Sequence, residues 1–137
     1  MQFWSHSYED TVNSGKEFGQ SLRGGEVVLL IGPLGSGKTA FAKGIALGLG
    51  IEEMVLSPSF SIMNEYQGKI VLYHFDFYRL DDTAEMEDLL QDYLYAEQAV
   101  CVIEWGEKIR ELVSVYILIQ FDILEQGRTI TVKRSGM

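Results

Sequence analysis

The sequence of 137 residues is poor in cysteine, proline and basic residues. Its single cysteine, Cys101, cannot form an internal disulfide, and its apolar neighbours predict a buried strand thiol rather than a nucleophile. Eleven Lys and Arg stand against 20 Asp and Glu, and the net charge of −9 disfavours direct binding to nucleic acid or to an anionic membrane. No signal-peptide core follows Met1, and no apolar run reaches the roughly 20 residues of a membrane span. These absences predict a protein of the reducing cytoplasm.

An apolar content of 47% and a length of 137 residues predict a single globular domain over residues 1–137. Helical spacing predicts helices over 8–22, 38–49 and 84–93, with a further helical turn at 107–112. Strands are predicted over 27–31, 61–66, 70–78, 99–105, 116–123 and 128–133. This order predicts an α/β fold of P-loop NTPase type with three layers. Its mixed sheet has a parallel centre and antiparallel additions, including a C-terminal hairpin.

The strongest motif runs from Gly32 to Thr39 and matches G-x-x-x-x-G-K-[ST] in full. In such a loop, glycines let backbone N–H groups turn towards phosphate oxygens, and the dipole of the following helix adds to the attraction. Lys38 is expected to reach the β- and γ-phosphates, and the Thr39 hydroxyl to ligate Mg²⁺. The motif therefore predicts a site for ATP with Mg²⁺. The predicted nucleotide-binding positions here are Gly32, Gly35, Ser36, Gly37, Lys38, Thr39 and Ala40.

Two carboxylates end apolar strand patterns, where α/β sheets bind their ligands. Asp76 lies late in the run 70–77 and is the best candidate for the acid that holds magnesium through water, the alternative being a salt-bridged or capping aspartate. Glu104 ends the run 101–103 and is expected to ligate Mg²⁺ or to orient the attacking water, the alternative being a structural ion pair. Lys38, Asp76 and Glu104 form the predicted catalytic set.

Other residues near these motifs leave their roles open. His74 is a candidate general base, although a histidine on a half-buried strand is more often structural. Arg79 is a candidate for neutralising phosphate charge or contacting a partner, and equally an ordinary surface arginine. Trp105 is on general grounds a core residue. The acidic stretch 81–88 is interpreted as a solvated helix face.

Several motifs in order resemble one family, the bacterial TsaE (YjeE-type) P-loop ATPases of tRNA threonylcarbamoyladenosine biosynthesis. The phosphate loop stands where the family has G-D-L-G-A-G-K-T, and His74–Leu80 matches H-x-D-x-Y-R-L. Because separate motifs recur in the correct order over nearly the whole chain, the resemblance is far more specific than the loop alone. The other matching segments are Ser57–Phe60 (S-P-T-F/Y), Asn64–Tyr66 (E-Y), Glu104–Trp105 (E-W) and Gly127–Arg128 (G-R).

The resemblance implies roles that spacing does not assign. Thr39 and Glu104 would hold Mg²⁺, with Asp76 as the Walker-B-like acid. Ser59 would belong to a loop that responds to the γ-phosphate, and Arg128 would approach the nucleotide. The resemblance also places Trp105 among the nucleotide-binding residues.

The resemblance further implies partners. These are TsaD and TsaB, whose complex transfers the threonylcarbamoyl group to adenosine in tRNA, while the ATPase resets that complex between cycles. Turnover by the ATPase alone would be weak, and its contact with tRNA only indirect. The acidic composition agrees with such a division of labour.

The sequence departs from the family pattern at several positions. Pro33 replaces the usual aspartate and Ser36 the usual alanine, both at positions that the P-loop mechanism leaves free. Ser59 replaces threonine and keeps the hydroxyl. Leu89–Gln91 lacks a common glycine, which puts the partner-facing surface in doubt, and Gly106 stands where proline is frequent.

Three other functions compete with this interpretation. A P-loop small-molecule kinase commonly needs an arginine-rich lid, for which the chain has little length. A GTPase usually carries N-K-x-D and D-x-x-G, and neither is present. A nucleotide-gated binding module with negligible hydrolysis lies close to the TsaE interpretation, because coupling to partners can matter more than turnover.

Overall fold

A computed structural model of the chain describes residues 1–58 and 61–135. Across these residues the α-helices are α1 (Tyr8–Gln20), α2 (Lys38–Gly48) and α3 (Thr83–Leu90). Two short 3-10 turns, Gly106–Lys108 and Arg110–Leu112, follow the fifth strand. The strands are β1 (Gln2–Ser5), β2 (Val27–Ile31), β3 (Met63–Tyr66), β4 (Val71–Asp76), β5 (Ala99–Glu104), β6 (Tyr116–Leu124) and β7 (Gly127–Ser135).

All seven of these strands join one sheet in the order β1-β7-β6-β2-β5-β4-β3. The four central strands β6, β2, β5 and β4 are parallel, whereas β3, β7 and β1 pair antiparallel at the two sides. The predicted α/β fold with a parallel centre and a C-terminal hairpin is therefore confirmed. Because β2, β4 and β5 run in the same direction, their carboxyl ends meet at one edge of the sheet, where ligands bind in such folds.

The sheet is covered on both faces, as the continuous apolar strands require. Alternate residues of β2 divide between the faces: Val28 and Leu30 belong to the core that contains Phe41 of α2. Leu29 belongs to the opposite core, which contains Met86 of α3. These two cores give the three layers expected from the sequence. In the described part of the chain, no helix is long and apolar enough to cross a membrane.

Helices α1 and α2 approach each other through glycines. A Cβ placed on Gly15 would lie 2.2 Å from the carbonyl oxygen of Phe41, and one on Gly44 would lie 2.1 Å from that of Val12. A Cβ atom does not make nonbonded contacts that short, so this helix crossing depends on the absence of a side chain at both positions. The packing fixes α2, and with it the phosphate loop at its N-terminus.

Replacing Gly44 by alanine is expected to destabilise the protein by about 2–3 kcal/mol, because the new methyl group displaces the α1 backbone. Helix propensity alone predicts the opposite sign, a gain of about 1 kcal/mol. Urea unfolding of Gly44→Ala decides between the two, with the exposed α1 substitution Glu17→Ala as control. A stability equal to or above that of the unsubstituted protein would contradict the close packing.

The structure corrects several element boundaries. Strand β4 ends at Asp76, not at residue 78, because the Asp76 carboxylate accepts a hydrogen bond of 3.0 Å from the Tyr78 N–H and turns the chain. Tyr78 therefore lies outside the strand. Strand β5 ends at Glu104 because Trp105 adopts a left-handed conformation with φ of 63°. The sequence did not predict β1, a four-residue strand that pairs with β7.

Candidate functional site

A cavity of about 520 Å³ lies where the ends of β2, β4 and β5 meet the N-terminus of α2. It brings together residues that are far apart in the sequence. Gly32 is absent from its lining but lies in the loop below it, and Ser59 falls outside the described residues. The other sequence-predicted positions all line the cavity: Gly35, Ser36, Gly37, Lys38, Thr39, Ala40, Asp76, Glu104, Trp105 and Arg128.

The loop between β2 and α2 depends on glycine for two different reasons. Gly37 has a left-handed φ of 106°, and a Cβ there would lie 2.8 Å from the Arg128 guanidinium. Gly32 needs space instead, since a Cβ would lie 2.8 Å from the Cβ of Phe121. As the N-cap residue of α2, Gly37 supplies no side-chain acceptor. Gly37 therefore leaves the first N–H groups of the helix without a side-chain cap. An anion that binds at a helix N-terminus needs such uncapped N–H groups.

Lys38 lies beneath the loop and is almost fully buried. Its ammonium donates hydrogen bonds to the carbonyl oxygens of Gly32 at 2.6 Å and Pro33 at 3.0 Å. The same nitrogen lies 4.0 Å from the ring centroid of Trp105, a cation–π distance. Burial lowers the pKa of Lys38, and the negative charges of Glu107, Glu104 and Asp76 oppose that effect. The arrangement holds a desolvated positive charge next to the cavity.

Glu104 contacts two polar side chains, one from α2 and one from β4. Thr39 Oγ1 donates to both Glu104 carboxylate oxygens, at 2.9 and 3.0 Å. His74 Nε2 lies 2.6 Å from Glu104 Oε2. Asp76 is the direct neighbour of Glu104 across the β4–β5 pair. The structure therefore groups the two carboxylates and the Thr39 hydroxyl that the sequence assigned to a common site.

These oxygen donors fit magnesium. The described residues contain no group of three or more His, Cys, Asp or Glu side chains arranged as a complete metal cage. Magnesium is usually held by one or two carboxylates together with substrate phosphates and waters, so a full protein cage is not needed. The Thr39 hydroxyl with Glu104 and Asp76 matches that chemistry.

Two buried polar atoms near the cavity have no hydrogen-bond partner among the described residues: Ser36 Oγ and His74 Nδ1. Ser36 is the position at which the family resemblance expects alanine, which agrees with a hydroxyl that makes no hydrogen bond here. His74 is completely buried, and its Nε2 contacts the candidate catalytic carboxylate.

The cavity includes residues that sequence reasoning missed. Tyr8 and Thr11, both on α1, line the cavity. A Cβ on Gly37 would also lie 3.2 Å from Thr11 Cγ2, which shows how closely α1 approaches the loop. Leu34, Ser57 and Tyr78 also line the cavity, together with Arg79, which the sequence had named as a candidate for neutralising phosphate charge. Helical spacing predicted α1, but it did not predict that this helix lies beside the phosphate loop.

Lys108 joins the segment after Glu104 to the loop after Asp76. Its ammonium donates to the carbonyl oxygens of Phe77 at 2.9 Å, Tyr78 at 3.0 Å and Leu80 at 2.7 Å. All three of its hydrogens therefore have acceptors. We call this set of contacts the Lys108 clamp. It holds the backbone of the loop that carries Tyr78 and Arg79 beside the cavity.

The acidic stretch after this loop is a solvated face, as expected. Asp82 caps α3 by accepting a hydrogen bond from the Ala84 N–H, and Glu85, Glu87 and Asp88 are exposed. Only Met86 and Leu90 of this helix are buried. Nothing in α3 brings a further carboxylate to the cavity lining.

Comparisons with known proteins agree with the motif order. The family model described as "Threonylcarbamoyl adenosine biosynthesis protein TsaE" matches residues 5–133. A tRNA threonylcarbamoyladenosine biosynthesis protein TsaE from Treponema pallidum is 44% identical over 135 residues, which cover 96% of this chain and 99% of the relative. A protein of the same name from Nostoc sp. is 37% identical over 123 residues, covering 87% and 76%. The crystal structure of YdiB from Bacillus subtilis has a TM-score of 0.83 at 32% identity and covers 99% of this chain and 86% of that one.

Proposed function

The chain belongs to the TsaE family of tRNA threonylcarbamoyladenosine biosynthesis, and from this premise we propose that it is the ATP-binding and ATP-hydrolysing subunit of that process. One observation carries the proposal. A complete phosphate loop and the carboxylates Asp76 and Glu104 line the same cavity of about 520 Å³. That combination is what phosphoryl-transfer sites of P-loop NTPases require.

In the proposed complex, the triphosphate lies over the loop with its terminal phosphate towards Glu104. Lys38 exchanges its contacts with the Gly32 and Pro33 carbonyls for the β- and γ-phosphates. Thr39, Asp76 and Glu104 hold Mg²⁺, which when bound neutralises charge on the phosphate oxygens. Glu104 orients the attacking water, and the half-buried Trp105 shields Lys38 from solvent.

The other end of the cavity then receives the nucleoside. Glu104 is bonded to Thr39, whereas Thr11 of α1 approaches the loop at Gly37. A triphosphate with its terminal group at Glu104 then directs its ribose and base towards α1. Tyr8 offers an exposed ring for stacking, and Arg128, whose guanidinium lies 3.4 Å from the Gly35 carbonyl oxygen, can reach the α-phosphate.

We propose TsaD and TsaB as partners, with tRNA contacted only through them. The net charge of −9 supports the indirect contact, because an acidic protein is repelled by the tRNA backbone. The role is to reset the TsaD–TsaB complex between transfer cycles rather than to transfer the threonylcarbamoyl group. A cytoplasmic location goes with this role.

The test is ATP hydrolysis by the purified protein, alone and with a TsaB–TsaD complex from the same source. We expect weak turnover alone and strong stimulation by the complex. Absence of stimulation with ATP binding intact would overturn the partner assignment and leave a P-loop nucleotide-binding protein. Stoichiometric transfer of the γ-phosphate to a small molecule would instead establish a kinase.

A further inference from the structure

His74 is a buried histidine that the proposed mechanism does not use. It lies on β4 between Tyr73 and Phe75, two residues before Asp76, and its side chain is completely buried. Its Nε2 lies 2.6 Å from Glu104 Oε2, while its Nδ1 has no partner among the described residues. A buried ring nitrogen without a partner destabilises a fold, since an unsatisfied polar group costs about 1–3 kcal/mol.

The geometry fixes which nitrogen carries the proton. At 2.6 Å, one of the two facing atoms must donate, because two lone pairs would repel at that distance. Thr39 Oγ1 lies 2.9 and 3.0 Å from the two oxygens of Glu104 and shares its single hydrogen between them. A proton on Nδ1 would have no acceptor in the described part of the chain. The arrangement consistent with these contacts is an Nε2–H that donates to Glu104, with no proton on Nδ1.

The two donors together hold Glu104 in one orientation. His74 Nε2 contacts Glu104 Oε2, and the single Thr39 hydroxyl hydrogen is shared between Oε1 and Oε2. Removing the His74 donor leaves the carboxylate with the Thr39 hydrogen bond. His74 therefore adds a second, independent restraint on the orientation of Glu104.

We propose that His74 is a positioning residue that donates Nε2–H to Glu104 and keeps its carboxylate beside Thr39, in the geometry that binds Mg²⁺ with ATP. The inference rests on the proposed function and deepens it. Partners of metal-binding carboxylates of this kind fix ligand orientation, and their loss typically reduces metal affinity or activity about 10- to 100-fold. His74 touches neither substrate nor metal in this role, so it is not itself catalytic.

The first test needs neither nucleotide nor activity. The chain has two histidines, so a long-range ¹H–¹⁵N spectrum of the labelled, metal-free protein shows two ring systems, and His6→Gln identifies the signals of His74. We expect a protonated Nε2 and an unprotonated Nδ1 at His74. A proton on Nδ1 with Nε2 bare would overturn the proposal, because His74 would then accept rather than donate.

The second test separates positioning from folding. His74→Leu keeps an apolar volume without a donor, whereas His74→Gln restores an N–H group at a similar reach. We expect His74→Leu to raise the Mg²⁺ concentration for half-maximal ATP binding about 10- to 100-fold, with ATP affinity in excess EDTA unchanged, and His74→Gln to recover most of the loss. Calorimetry measures both quantities, and circular dichroism verifies the fold of each variant.

The outcomes distinguish this inference from the proposed function. If the unsubstituted protein binds no ATP, the proposed function fails while the spectrum still reports the tautomer. If ATP binds with Mg²⁺ but His74→Leu keeps the normal magnesium dependence, the positioning role is wrong and the function stands. If His74→Leu does not fold, His74→Gln provides the test. A magnesium dependence of His74→Gln that is shifted by more than about 10-fold would contradict rescue by the amide donor.

Discussion

Lys38→Ala is expected to abolish detectable ATP binding while the protein remains folded. Lys38 is the buried cation of the phosphate loop, and in the proposed complex it contacts two phosphates. Hydrogen bonds to charged groups contribute about 1.5–3 kcal/mol each, so losing two of them weakens binding by at least about 100-fold. The fold should persist, because substitution removes a desolvated charge together with its bonds to Gly32 and Pro33.

Calorimetric titration with ATP and Mg²⁺ measures this effect. The matched control is Lys69→Ala, since Lys69 is exposed in the turn between β3 and β4. We expect the control to bind ATP as the unsubstituted protein does. Unchanged affinity in Lys38→Ala would refute a phosphate-binding role for the loop, whatever the family.

Glu104→Gln is expected to reduce ATP hydrolysis by about 10³-fold or more while ATP binding is largely kept. The amide has nearly the shape of the carboxylate, so the contacts with Thr39 and His74 are partly retained. In the proposed complex the negative charge of Glu104 holds Mg²⁺ and orients water, and removal of one such electrostatic group typically costs about 10²–10³ in turnover. Loss of a metal ligand adds to that figure.

Single-turnover hydrolysis in the presence of the TsaB–TsaD complex is the measurement for this prediction. Glu111→Gln is the control, because Glu111 is exposed in the second 3-10 turn and absent from the cavity lining. A Glu104→Gln protein that hydrolyses ATP normally would remove Glu104 from the mechanism. If this variant binds ATP, does not hydrolyse it and still supports tRNA modification, the chain acts as a nucleotide-gated binding module.

The sequence predicted the parts of the site that depend on local chain geometry. The phosphate loop is a contiguous motif, and each of its residues is constrained by its neighbours in the sequence. Asp76 and Glu104 were found because both end apolar runs, and parallel strands bring such ends to one edge. Strand β4 is shorter than predicted because the Asp76 side chain accepts a hydrogen bond from the Tyr78 N–H. The alternation of apolar residues does not show that a side chain competes with the sheet for this N–H group.

The remaining parts depend on long-range packing. Strand β1 has only four residues, and its pairing with β7 spans almost the whole chain, so no local pattern marks it. Tyr8 and Thr11 reach the cavity because α1 crosses α2 through Gly15 and Gly44, which helical periodicity alone cannot show. The His74–Glu104 contact requires the β4–β5 register, which is a property of the sheet.

The Lys108 clamp ties the loop after β4, the strand that ends at Asp76, to the turn after β5, the strand that ends at Glu104. Displacing the 77–80 backbone relative to the turn after Glu104 breaks three charge-assisted hydrogen bonds together, at about 1.5–3 kcal/mol each. These hydrogen bonds therefore oppose movement of the loop relative to the turn.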